Sequence, residues 1–291
     1  MGIKISVITP SYNRAKLLER CYQSLCKQSL NEFEWIVVDD GSTDCTQELV
    51  CTYIQEGKIE INYLYKRNGG KHTAHNMGVE NAKGELVICV DSDDQLPSDA
   101  LEKVWKFWMK NKESNSIGVI AKRKTINGDF LCSDFPKDVK SLTMFDLVNV
   151  YHFSGDTALF FKTDIVKKCM FPVFAEEHFL SESALYFELD KYGEMLLYDD
   201  AVYIGEYQTD GLTSKYHNLL KNNPIGSAYT YLLSYSKTNN VNVKIKYAIL
   251  TMCYWNRSCR EYYSVPKWFY LLTPASWMYR KIRLDKIVDR I

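Results

Sequence analysis

The segment Val90-Asp91-Ser92-Asp93-Asp94 puts three carboxylates within four residues. Acids this close repel one another unless something compensates, and a divalent cation that also grips phosphate oxygens is an economical answer. If Asp91 to Asp93 stay extended, the two-residue period points both carboxylates the same way, so two hard oxygen ligands face one cleft. The same residues also suit a polar turn that caps the next helix, and alone they leave both readings open. Upstream stand a second acidic turn, Asp39-Asp40-Gly41-Ser42, and a basic glycine loop, Lys66-Arg67-Asn68-Gly69-Gly70-Lys71. Lys71 can neutralise phosphate while the glycine backbone approaches closely, although no Gly-Lys-Ser/Thr stands at Walker spacing. No dinucleotide fingerprint follows the first strand pattern either. A nucleoside diphosphate held through a metal fits what remains.

These residues need elements to position them. Ile3 to Thr9 alternates and then becomes continuous, as a central strand does, and Pro10-Ser11-Tyr12-Asn13 breaks it, with Asn13 suited to cap the following helix. Glu34 to Val38 is a second strand ending in the first acidic turn, after which Asp44 with Gln47 looks like a capping box. Ile59 to Tyr65 is a third strand, the basic loop leads into a helix with Ala74, Met77 and Ala82, and Glu85 to Cys89 carries the second acidic turn. Strands alternating with helices predict a parallel sheet with crossovers, and ligands bind outside the C-terminal strand edges of such sheets. Ser98 can cap a helix with Leu101, Val104, Trp105 and Trp108 on its buried side, and Ile117 to Ala121 is another strand. The pattern loosens from Thr125 to Asp146 and resumes as a strand over Gly155 to Phe161. A second acidic cluster, Ala175 to Ser183, leads into a helix with Leu185, Phe187 and Leu189, and Tyr198 to Tyr207 reads as a last strand or hairpin.

At 291 residues the chain can bury a sizeable core, and 36 acidic against 36 basic residues argue for neither nucleic acid nor a polyanionic partner. Nine cysteines, without paired metal-ligand spacing, read as reduced core residues of a cytosolic protein. The N-terminus enters a strand pattern with no charged leader, and no run approaches a membrane span. From about Lys244 the composition changes: Trp255, Tyr262, Tyr263, Trp268, Phe269, Tyr270, Trp277 and Tyr279 interleave with Arg257, Arg260, Lys267, Arg280, Lys281 and Arg283. Such a segment suits an anionic headgroup boundary, or else a helical subdomain whose aromatics pack inward.

The chain resembles glycosyltransferase family 2, the inverting transferases of the GT-A fold. The resemblance is carried by Val7-Ile8-Thr9-Pro10-Ser11-Tyr12-Asn13, Ile36 to Asp44, Asn68-Gly69-Gly70-Lys71 with Ala74 and Asn76, and Val90 to Asp94. It covers about the first 100 residues closely. The region from Phe171 through Gly211-Leu212-Thr213 more loosely resembles a bacterial surface-polysaccharide branch.

The resemblance implies an α/β GT-A fold, a mostly parallel central sheet flanked by helices, with a catalytic domain over 1–215 and a helical, aromatic and basic extension over 216–291. Residues 1–100 would be the nucleotide half and 101–215 the acceptor half. Thr9, Pro10 and Tyr12 would line the nucleoside pocket, Asp39 or Asp40 would hold base or ribose, and Asn68, Lys71, Asn76 and Ser92 would approach the nucleotide. Asp91 and Asp93 would hold Mn2+ or Mg2+, with Asp91 also near the ribose. Glu182 would be the base, with Glu176 and Glu177 as substitutes because Ser183 stands where many relatives have Asp. His217 could complete the metal shell, although a surface histidine is the plainer reading; His72 and His75 are helix residues near the nucleotide. The implied reaction moves a sugar, from a UDP-sugar by resemblance, to a saccharide or polyprenyl-diphosphate-linked acceptor at the cytoplasmic face of a bacterial membrane. The competing reading is a catalytically silent sugar-nucleotide-binding scaffold of a membrane polysaccharide complex.

Overall fold

The computed structural model describes residues 2–205 and 215–284, the side chains of 283 and 284 excepted. The expected strand end at Tyr207, the Gly211-Leu212-Thr213 part of the resemblance and the Arg283 side chain lie outside the described residues. The chain forms two compact units, Met1–Met170 with Leu189–Glu206, and Phe171–Glu188 with Tyr207–Ile291. Residues 171–188, which the sequence places within the first domain, thus group with the C-terminal helices.

The first unit holds one mixed eight-stranded sheet. Its strands are β1 (Ile5–Ser11), β2 (Phe33–Asp39), β3 (Glu60–Tyr65), β4 (Leu86–Cys89), β5 (Ser116–Lys124), β6 (Ser141–Leu142), β7 (Thr157–Lys162) and β8 (Glu194–Ile204). The order is β3-β2-β1-β4-β7-β5-β8-β6. β3, β2, β1 and β4 run parallel, β7 is antiparallel to both β4 and β5, and β8 returns parallel to β5. The crossovers include α1 (Ala15–Leu25), α2 (Thr46–Glu56), α3 (Lys71–Asn81) and α4 (Ala100–Asn111). On one sheet face Val7, Trp35 and Val37 pack with Leu18, Cys21, Tyr22 and Leu25 of α1 and with Leu101, Val104 and Trp108 of α4, all buried. Burying each such aliphatic side chain contributes about 2 kcal/mol. The opposite face takes α3 so closely that a Cβ on Gly78 would stand 2.4 Å from Ile8 Cγ2. Glycine is what permits that approach.

Two caps differ from expectation. Asn13 does not cap α1; it adopts a left-handed φ of 52° and sends its side chain to the next turn, where Oδ1 accepts from Thr43 N at 2.8 Å. Asp44 caps α1 instead, accepting from Ala15 N at 3.1 Å, and also takes Thr46 N at the start of α2. The position before α4 is Asp99, not Ser98. Of the cysteines, Cys21, Cys253 and Cys259 are buried as expected, whereas Cys45 and Cys51 are exposed on and beside α2.

The second unit is built on α9 (Pro224–Ser236) and α10 (Val241–Tyr254), with α7 (Ser183–Leu189), α8 (Tyr216–Asn222) and α11 (Thr273–Tyr279). Two shorter helices, α5 (Met144–Asn149) and α6 (Thr163–Val166), belong to the first unit. The Glu177 carboxylate accepts from Ile225 N at 2.6 Å and Gly226 N at 2.7 Å, capping α9 where Pro224 leaves orphan amides. Phe269 is fully buried beside Ala248 and Met252, as inward packing requires. Its neighbours are not: Trp268, Tyr270, Leu271, Trp277, Met278 and Ile282 are exposed.

Candidate functional site

The parallel register sets Ser11 beside Asp39 and Asp39 beside Tyr65, while Ile8 stands beside Cys89. The C-terminal ends of β1 to β4 therefore open on one edge of the first unit, where the acidic turns and the basic loop gather.

The first acidic turn is saturated from within. Asp39 is 1% exposed, with Oδ1 accepting from Ser42 N at 2.7 Å and Oδ2 from the Tyr63 hydroxyl at 2.7 Å. Asp40 is 3% exposed and anchors the basic loop: it accepts from Lys66 Nζ at 2.7 Å, Gly69 N at 3.0 Å and Gly70 N at 2.8 Å. Its carbonyl accepts from Asn68 Nδ2 at 2.9 Å. Gly41 has a φ of +84°, and a Cβ there would meet Asn68 N at 2.8 Å, so the loop lies directly against the turn. The outcome is a fixed entry to α3 with Lys71 as its first residue.

The second acidic turn is arranged otherwise. Asp94 N donates to Asp91 O at 3.1 Å, so residues 91–94 form a closed turn and not the extended segment expected; the turn, not strand periodicity, gathers the acids. Asp91 and Asp93 are half-buried, while Ser92 and Asp94 are buried. Lys71 Nζ meets Asp91 Oδ1 at 2.7 Å. Burial, and then the negative charge of Asp91, raise the Asp93 carboxyl above the ordinary carboxylate range. Asp94 is pushed up to about 6 by burial and by Asp91, against the pull of the Tyr203 hydroxyl and Arg123. Arg20 donates to the Asp93 carbonyl at 2.7 Å.

Two crowded carboxylates with acceptor-only oxygens suit a hard cation. Among the described residues no cluster of three or more His, Cys, Asp or Glu is placed to hold one. A cation here would therefore draw its remaining ligands from phosphate and water, as Mg2+ and Mn2+ bound with nucleotides do.

Other expected site residues fall into two groups. At the end of β1, Tyr12 is 49% exposed and Pro10 is half-buried, both open to a ligand. Thr9 is a correction: it is fully buried, with its hydroxyl accepting from Trp35 Nε1 at 2.9 Å, because its side chain falls on the α1 face of the sheet. Only its backbone remains for a pocket. Asn76 is half-buried on α3, and His72 is buried on the same helix.

Glu182 belongs to the second unit. It is exposed just ahead of α7, its carbonyl accepts from Leu185 N and Tyr186 N, and Tyr186 donates from its hydroxyl to Glu182 Oε2 at 3.1 Å. Glu177 is occupied as the α9 cap, which removes it as a substitute base. His217 is half-buried in the same unit, its ring edge-on to Tyr216 with centroids 6.1 Å apart. The Asp210-Gly211-Leu212-Thr213 stretch before it lies outside the described residues.

Sequence reasoning missed Tyr203 and Arg123. Tyr203 on β8 donates to Asp94 Oδ2 at 2.8 Å and accepts from Asp91 N at 3.0 Å, and the Arg123 guanidinium lies 3.8 Å from the Tyr203 ring centroid. A tyrosine in a strand carries no local signal of such a role.

Comparison with known proteins supplies the kinship. The family model described as glycosyl transferase family 2 matches residues 6–169. The chain is 36% identical over 128 residues to poly(ribitol-phosphate) beta-N-acetylglucosaminyltransferase TarS of Staphylococcus aureus, covering 43% of this chain and 22% of TarS. It thus spans about a fifth of that relative. The crystal structure of S. aureus TarS 1–349 in complex with UDP-GlcNAc superimposes with a TM-score of 0.59 at 20% identity, covering 97% of this chain and 89% of that one. The mannosyltransferase PcManGT of Pyrobaculum calidifontis, in complex with GDP-Man and Mn2+, gives 0.59 at 17% identity, covering 97% and 82%. The fold is GT-A, with a helical C-terminal part.

Proposed function

The chain belongs to glycosyl transferase family 2, and on that premise we propose that it is an inverting, metal-dependent transferase moving a sugar from a nucleoside-diphosphate sugar to a cell-surface saccharide or its lipid-linked precursor. The observation that carries this reading is the turn at 91–94, where Asp91 and Asp93 stay half-buried and mutually repelling with Lys71 at 2.7 Å. The UDP-GlcNAc complex of TarS makes UDP-sugars the first donors to try.

In this mechanism Pro10, Tyr12 and the Thr9 backbone border the nucleoside. Asp39 and Asp40 act by shaping the wall, since their oxygens already hold Ser42, Tyr63, Lys66 and the glycine loop. Asn68, Asn76 and Ser92 flank the nucleotide. Asp91 and Asp93 would hold Mn2+ or Mg2+, which when bound supplies charge stabilisation for the departing diphosphate. Lys71 leaves Asp91 for a phosphate oxygen, keeping positive charge where negative charge develops. The acceptor hydroxyl is a weak nucleophile near neutral pH; Glu182 takes its proton as the new bond forms, a contribution of about 10²- to 10⁴-fold. A single displacement inverts the anomeric carbon.

The decisive experiment incubates the protein with a panel of nucleotide sugars and Mn2+, following nucleotide release with and without lipid-linked acceptor. Acceptor-dependent release with one donor is expected. Tight UDP binding without release from any donor would return the chain to a sugar-nucleotide-binding scaffold.

The finer placement, at the inner face of a cell membrane, draws on the second unit. No described helix is long and apolar enough to cross a membrane. Residues 262–284 contain Lys267, Arg280, Lys281 and Arg283 but no acid, and Leu271 is 81% exposed and Trp277 59% exposed. Apolar side chains among bases suit an anionic leaflet. Sedimentation with anionic but not zwitterionic liposomes is the expected behaviour.

A further inference from the structure

We propose that Tyr203 is the positioning residue of the acidic turn, fixing through one hydroxyl which of its three carboxylates face a cation. The inference rests on the reading of Asp91 and Asp93 as the metal pair, and goes beyond it to a residue 112 positions from Asp91 in the chain. β4 is only four residues long, and its sheet pairing continues through a single bond, Val90 N to Ile8 O at 2.8 Å. Beyond Val90, the turn is held from α1, where Arg20 donates to the Asp93 carbonyl at 2.7 Å, and from the end of β8. Asp91 N donates to the Tyr203 hydroxyl at 3.0 Å, and that hydroxyl donates to Asp94 Oδ2 at 2.8 Å. Gln95 and Ile204 exchange both backbone bonds, at 3.0 and 2.9 Å. Tyr203 itself is fully buried, stacked under Arg123, whose Nε donates to Thr157 O at 2.8 Å and whose Nη1 lies 3.9 Å from Asp94 Oδ2.

The consequence is a sorting of three like charges. Asp94 is drawn inward by a hydroxyl donor and a nearby guanidinium, so it need not compete for the cation. Asp91 is fixed at its backbone, which leaves its carboxylate directed by the turn. A site whose ligands must be held against mutual repulsion depends on partners of this kind, and losing one typically weakens metal binding about 10- to 100-fold.

Tyr203→Phe tests this, since it keeps the ring beneath Arg123 and removes only the hydroxyl. Mn2+ binding is followed by electron paramagnetic resonance, UDP binding by calorimetry without metal, and folding by thermal melting. Mn2+ affinity should fall about tenfold or more while metal-free UDP affinity stays near wild type and the melting temperature drops only by the few degrees that the lost buried hydrogen bonds cost. Unchanged Mn2+ affinity would overturn the proposal, as would parallel loss of UDP binding, which marks a general packing role. Should Tyr203→Phe not fold, Asp94→Asn and Asp94→Leu decide. Asparagine still accepts from Tyr203 and should hold Mn2+ within about threefold of wild type, whereas leucine should lose it as the phenylalanine variant is expected to. Equal behaviour of the two overturns the proposal. If wild-type protein binds no Mn2+ at all, the metal reading falls first and takes this one with it.

Discussion

Asp39 ends β2 and Asp40 follows it, much as Asp91 and Asp93 follow β4, and in the sequence the two acidic turns look interchangeable. Their surroundings separate them. Every carboxylate oxygen of the first pair accepts a bond from backbone amides, a tyrosine or a lysine, and both residues are buried. In the second turn Asp94 alone is drawn inside, while Asp91 and Asp93 remain half-buried with Asp93 raised by its neighbour. Carboxylates satisfied by their own fold build a wall; carboxylates left in mutual repulsion are available to a ligand. Strand-end acidity alone does not distinguish the two.

Substitutions should divide along that line. Asp93→Ala is expected to lower turnover about 10³-fold, about 4 kcal/mol, with no loss of thermal stability, because it relieves repulsion in the metal-free protein. A large drop in melting temperature would assign Asp93 to the scaffold and erase the contrast. Asp40→Ala should do the opposite, costing about 3 kcal/mol in urea unfolding by stranding Lys66 and the Gly69 and Gly70 amides. Undiminished stability would show that the loop closes without it.

The pH response sharpens the comparison further. Asp94 titrates near 6 in the folded state against an ordinary value of 3.8. At Asp94 the folded state therefore binds more protons than the unfolded one in that interval, and the contribution of this residue to the stability of the metal-free protein should decline by about 2 kcal/mol as pH rises from about 4 to 6, then level off. Asp94→Asn should flatten this slope, measured by chemical denaturation across the range; an unchanged slope would place its origin elsewhere. Smallest is the effect at Lys71. Lys71→Met removes the cation now resting on Asp91, so Mn2+ should bind about tenfold more tightly without nucleotide, about 1.4 kcal/mol, while UDP-sugar binds more weakly. If both affinities move together, Lys71 does not pass between carboxylate and phosphate.

Much of the first unit was legible because its signals are local. The runs that became β1 to β4, the acidic ends of β2 and β4 and the glycine loop each lie within a few residues, and periodicity and turn chemistry act over that range. The direction of Thr9 was not legible, since an unbroken apolar strand gives no clue to which face meets α1. Asn13 was misread because capping preference ignores what the neighbouring turn offers; a left-handed φ and the Thr43 amide outweighed helix N-capping. Tyr203, Arg123 and the grouping of 171–188 with the C-terminal helices depend on contacts across many residues, which no window of sequence contains.

The exchange between Asn13 and Asp44 bears on how the protein opens. Asn13 holds the amides of Thr43 and Asp44, Asp44 holds the amide of Ala15, and Ser42 accepts from Asn13 N. Neither turn can lift away without exposing bonds that belong to the other. The two loops therefore form one cooperative opening unit, and native-state hydrogen exchange at Asn13, Ala15, Thr43 and Asp44 should share a single opening free energy.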